Sequence, residues 1–107
     1  VLSLEILRFE PMASGQRSLR LTERVTYEGF APYAEAVAAV LGGRVTSRAD
    51  GPDERVWTIE IAGAAYWLAV DEFVLGVSLE PCDAVAGARM DRIRHALVEI
   101  RDRTRPS

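Results

Sequence analysis

At 107 residues, with 49% hydrophobic and 27% charged residues, the chain has the size and composition of one globular domain. It can bury a core without metals or disulfides, and residues 1–107 are read as a single α+β domain. The net charge of −3 and a pI near 5.1 argue against a nucleic-acid binder, and all 13 basic residues are Arg, so no lysine is present for a Schiff base or a phosphate-binding GxxxxGK[ST] loop. The absence of both Lys and Asn fits a GC-rich bacterial genome. Cys82 is the lone cysteine, which excludes an internal disulfide and fits a reducing cytoplasm. No stretch resembles a signal peptide or a membrane span, so the expected location is cytoplasmic.

The first element, LSLEILRF, places Leu2, Leu4 and Ile6 on one side of an extended chain, a strand signature. EPMASGQR is a turn. SLRLTERVTY then alternates, with Leu19, Leu21, Val25 and Tyr27 on one face, so an N-terminal hairpin is expected. Glu23 interrupts that apolar face. An edge position or a bulge is the ordinary reason, and a buried acid of raised pKa is the alternative.

The period changes at FAPYAEAVAAVLGG. Phe30, Tyr33, Ala34, Val37, Val40 and Leu41 follow one helical face, which predicts a helix near 31–41. Pro32 suits its first turn and Gly42–Gly43 its end. Four short extended segments follow from Arg44 to Glu80, joined by DGPDE, AGA and DEFV, with Gly63 at the middle bend. Links this short predict an antiparallel meander.

If Ala62 and Gly63 make a two-residue hairpin loop, Ile61 faces Ala64, Ile59 faces Tyr66 and Trp57 faces Leu68. The inner face then collects Trp57, Ile59, Ile61, Tyr66, Leu68 and Val70, joined by Leu75, Val77 and Leu79. The outer face collects Thr58, Glu60, Ala65, Trp67, Ala69, Gly76, Ser78 and Glu80. Asp71 and Glu72 fall at the next reversal and are read as exposed turn residues that keep an apolar hairpin soluble. As a general acid–base pair they would need one shielded acid, and the sequence supplies no shield.

Asp83 is a cap for a final helix near 83–102, whose seam is Ala86, Met90, Ile93, Leu97 and Ile100. RTRPS is read as a frayed tail. From Arg89 onward six Arg stand against three acids, so the end of the chain is basic and the rest acidic. A solvated helix with i,i+4 pairs accounts for this, as does an acidic protein partner, including a second copy.

The predicted order is ββαββββα: a two-layer sandwich of an antiparallel meander sheet with two helices on one face. From VTYEGFAPYAEAVAAVLGG through GPDERVWTIEIAGAAYWLAVDEF to VSLEP, the chain resembles small bacterial domain families of unknown function. That resemblance has no catalytic motif and implies no site residue, activity or cofactor.

Four groups remain as candidates for function. Trp67, flanked by Ala65, Ala69, Gly76 and Ser78, would leave an indole on an open sheet face, which suits a partner-binding surface of a homodimer or a protein complex. A shifted register, a bulge or cover by a terminal segment would remove it. The alternative is a small-molecule pocket or minor enzyme site near Glu23, Tyr27, Phe30 and Tyr33. Asp91, His95 and Glu99 share a helical stripe, read as a solvated charged face, because a zinc site would draw further ligands from a second His or Cys cluster. Cys82 stands at a helix start that favours thiolate, opposed by Glu80 and Asp83. No metal, cofactor, nucleic acid or membrane partner is expected.

Overall fold

In a computed structural model, which describes residues 2–104, the chain forms a six-stranded antiparallel sheet with its helices packed on one side. The elements run β1 (Arg8–Pro11), β2 (Arg17–Thr22), α1 (Phe30–Val40), β3 (Arg44–Asp50), β4 (Glu54–Ile61), β5 (Ala64–Asp71), β6 (Val77–Pro81), α2 (Ala84–Ala88) and α3 (Met90–Thr104). The strand order is β1-β2-β6-β5-β4-β3. The meander β3 to β6 therefore folds back until β6 pairs with β2, and α1 carries the chain from β2 to the far edge at β3.

The β4–β5 hairpin follows directly from its loop. Ala62 and Gly63 both take positive φ, 50° and 81°, the mirror-image turn whose twist matches that of paired strands. Its register sets Ile61 opposite Ala64, Ile59 opposite Tyr66 and Trp57 opposite Leu68. Leu68 in turn faces Leu79, and Leu79 faces Leu19. One side of the sheet is thus a continuous apolar layer. Phe30, Tyr33 and Val37 of α1 and Met90, Ile93 and Leu97 of α3 join the same buried cluster. Both long helices cover this one face, as the single apolar stripe on each requires.

Pro32 lies in the first turn of α1, and Gly42, with φ 70°, ends it while the Gly43 N–H donates to the Ala38 carbonyl at 2.8 Å. Asp83 caps the last helical region, accepting the Ala86 N–H at 2.9 Å.

Several elements depart from the sequence expectation. The opening strand is only Arg8–Pro11. Leu7 has φ 48°, a left-handed conformation that turns the chain, so Leu4 and Leu7 are buried instead of an alternating Leu2, Leu4, Ile6 row. The Leu7 carbonyl accepts the Arg94 Nε–H at 2.7 Å, which ties this turn to α3. β2 ends at Thr22, where the pairing with β6 slips by one residue. Glu23, Val25 and Tyr27 therefore belong to a loop, not a strand. Leu75 is not on the inner face but exposed in the β5–β6 turn. The last helix is broken at Arg89, yet Ala86, Met90, Ile93 and Leu97 remain buried, because both pieces face the sheet. In the tail, Arg103 and Thr104 are still helical; 105–107 lie outside the described residues.

Candidate functional site

The side of the sheet opposite the helices has no covering layer among the described residues. Across its centre, Thr58, Trp67 and Glu80 stand side by side on β4, β5 and β6. The next row is Val56, Ala69, Ser78 and Arg20. Ala65 and Glu60 form a third, continued by Arg44. Trp67 is 38% exposed, and its cross-strand neighbours on this face are Thr58 and Glu80. Of the residues expected around this ring, Ala65, Ala69 and Ser78 share its face. Gly76 does not: it is buried, precedes β6, and lies against the backbone of Thr22.

The charges on this face carry both signs. Arg20 is held by Glu10 at 3.4 Å, approaches Glu23 at 3.9 Å, and donates to the Leu75 carbonyl. Arg44 pairs with Glu60 at 3.3 Å. Glu80 is half-buried next to Trp67. Burial, reinforced by the nearby Glu54 carboxylate, raises its pKa above the ordinary carboxylate value.

The apolar surface extends past the strands. Phe73, Val74 and Leu75 form the tip of the β5–β6 hairpin and are 79%, 56% and 65% exposed. Val74 borders a small depression that also includes Ala69, Ser78 and Glu80, so the tip continues the open face. The turn expected at DEFV holds Phe73 and Val74, but Leu75, expected in the next strand, belongs to the turn as well. The available signal was Gly76: with φ 98° it ends the turn, which pushes all of Phe73-Val74-Leu75 into the loop.

The acid pair lies at the base of the same turn. Asp71 accepts the Phe73 N–H at 2.7 Å, and the Glu72 N–H donates to the Asp53 carbonyl at 2.7 Å. Both acids border an open cleft of about 340 Å³ with Val25, Tyr27, Glu28 and Leu75.

Glu23, Tyr27, Phe30 and Tyr33 do not converge on one cavity. Glu23 is exposed, and its N–H is held by the Glu5 carboxylate at 2.9 Å. Tyr27 borders the acidic cleft and its hydroxyl donates to the Gly51 carbonyl. Phe30 is fully buried, edge-on to Trp57 at 5.5 Å between ring centres. The Tyr33 hydroxyl donates to the Ser3 carbonyl at 2.6 Å, and burial, then the Glu5 charge, raises its pKa.

The remaining candidates are separate. His95 pairs with Glu99 at 3.2 Å on the exposed side of α3, while Asp91 reaches Arg17 at 3.2 Å. Among the described residues no group of three His, Cys, Asp or Glu is placed to hold a metal ion. Cys82 is half-buried; burial, then Asp83 and Glu80, raises its thiol pKa and disfavours thiolate. No helix is long and apolar enough to cross a membrane.

Together these features define a two-layer α+β domain with one covered and one open sheet face. The chain belongs to the family described as protein of unknown function (DUF3630), whose model matches residues 7–90. That stretch spans the whole sheet and both helices flanking the meander up to the first residue of α3. No curated protein and no solved structure matches the chain.

Proposed function

We propose that this domain is a non-catalytic protein-interaction module of a bacterial cytoplasm that associates with a second copy of itself through the open sheet face. The observation that carries this reading is the exposed Trp67 at the centre of a sheet face lined by Ala65, Ala69, Ser78 and Thr58. Small neighbours allow close approach of another sheet, and one indole supplies a large area to bury. Removing apolar area from water is worth roughly 25 cal/mol per Å², a useful but not decisive share of an association energy.

A second copy is the occupant because the face is suited to meet itself. It carries Arg20 and Arg44 together with Glu10, Glu60 and Glu80, so a two-fold rotation can set one sign against the other. The exposed Val74 extends the apolar part of the surface toward the hairpin tip.

Ala69→Arg tests the reading at the centre of the patch. An arginine side chain there is too large for two sheets to meet closely over Ala69. The expected result is a wild type whose light-scattering mass rises with concentration toward twice the chain mass, and a variant that stays monomeric. At concentrations where both proteins are monomeric, the variant's folding stability should stay within about 0.5 kcal/mol of wild type. A variant that dimerises as tightly as wild type rules this face out.

A further inference from the structure

A second feature, on the helix side, is independent of the open face. Tyr66 is fully buried, and among the described residues its hydroxyl has no hydrogen-bond partner. Buried hydroxyls are almost always paired, because an unpaired one forfeits its bonds to water. The orphan is enclosed by the side chains around it, so it gains a partner only if a polar group displaces part of that wall.

Tyr66 lines a cavity of about 340 Å³ between the end of α1, the β4–β5 hairpin and the start of α3. Its walls are Leu41, Ile61, Ile93 and Ala96, and its polar groups besides Tyr66 are Arg89 and Arg92. The volume falls in the range of small-ligand pockets. The Arg89 guanidinium donates to the Ala62 carbonyl at 2.8 Å, which ties the hairpin turn to the helix start and fixes one cation at the cavity wall. Arg92 is exposed and has no ion-pair or hydrogen-bond partner among the described residues. The nearby acids are committed elsewhere: Asp83 caps α2, and Asp91 pairs with Arg17.

The geometry points to a binding site for a small organic carboxylate with an apolar body. The Leu, Ile and Ala walls take the hydrocarbon. Arg92 supplies a forked, charged donor for the carboxylate, with Arg89 adding positive potential. The Tyr66 hydroxyl is sealed behind the cavity wall in this structure, so a small displacement of the wall side chains is needed to bring its O–H onto the nearer carboxylate oxygen. An ammonium ligand is disfavoured by both guanidinium groups, and a fully apolar one would leave the hydroxyl unpaired.

The probe is phenylacetate, with phenylacetamide as its uncharged match, titrated into the isotopically labelled full chain and followed by amide chemical shifts. Phenylacetate should give saturable shifts at Ala62, Tyr66, Arg89 and Ile93, while the amide binds about tenfold more weakly or not at all. Arg92→Gln, an exposed substitution that leaves the fold intact, should weaken phenylacetate about tenfold and leave the amide unchanged. Tyr66→Phe removes the orphan hydroxyl, so it should keep or raise the melting temperature while weakening phenylacetate. Absence of saturable shifts, equal binding of acid and amide, or unchanged binding by Arg92→Gln would each overturn the assignment. Loss of phenylacetate binding in Arg92→Gln with a wild-type spectrum elsewhere supports it.

Discussion

Trp57→Ala should cost about 3–5 kcal/mol of folding stability, a large share of what a domain of this size possesses. The ring is only 3% exposed and packs edge-on against Phe30. Arg48 and Arg55 lie over its face at 4.8 and 5.3 Å, and its Nε1–H donates to Asp50 at 2.8 Å. Arg55 also reaches Asp50 at 2.7 Å and the Tyr27 carbonyl at 3.1 Å. Trp57 thus joins β3, β4 and α1, and Arg55 beside it extends the cluster to the loop before α1. Truncation opens a cavity and removes the donor to Asp50 together. Urea unfolding measures the loss, and a cost below about 1 kcal/mol would contradict this packing.

The same cluster has a pH signature. The Arg55 hydrogen bond, followed by that of Trp57, holds the Asp50 carboxyl below its usual value. A depressed folded-state value means that the contribution is complete above the ordinary aspartate pKa. It is lost as pH falls through the lower, folded-state value. Trp57→Phe keeps an aromatic ring but removes one of those hydrogen bonds, so its deficit should be larger at neutral pH than in acid.

Gly76→Ala should be costly for a different reason, by at least about 2 kcal/mol. Gly76 has φ 98°, and a Cβ there would run into the Thr22 carbonyl and lie close to the Glu23 backbone. The clash falls where β2 and β6 lose register, so relief requires moving the strand pairing itself. Gly63 is the internal control. It has φ 81°, but a Cβ there meets open space, so Gly63→Ala should carry the conformational cost of about 1–2 kcal/mol and nothing more. Denaturant midpoints of the two variants, read side by side, give the test. Equal losses, or a larger loss at Gly63, would contradict the close approach at Thr22.

The elements most legible in the sequence are those fixed by local chemistry. Ala62–Gly63 sets the hairpin register, and that register alone puts Trp57, Tyr66 and Leu68 inside and Trp67 outside. Pro32, Gly42 and Asp83 mark helix ends through backbone geometry and capping. Leu7 is different. Its left-handed turn is sustained by Arg94, far away along the chain, and no local pattern announces it. β2 ends at Thr22, where Gly76, just before β6, lies against the Thr22 backbone, so the continuing alternation through Val25 and Tyr27 misleads. Leu75 follows the same logic, since the left-handed Gly76 turns the chain immediately before β6 begins at Val77.

Sites behave likewise. The patch around Trp67 is a product of strand alternation and is readable, except for Gly76. The cavity at Tyr66 joins residues from α1, two strands and α3, and its defining property is a hydroxyl with no partner. Neither spacing nor composition encodes that. The aromatic-led group Glu23, Tyr27, Phe30 and Tyr33 is close in sequence but disperses, because a loop precedes a helix there and each ring turns to a different neighbour.

The open face is best tested by sedimentation equilibrium of the wild type and Trp67→Ala across a range of concentrations. If the face joins two copies, the wild type follows a monomer–dimer equilibrium, and loss of the indole weakens it by about tenfold or more with an unchanged fold. A wild type that remains monomeric well above micromolar concentration, or a Trp67→Ala variant that dimerises just as tightly, would contradict the account.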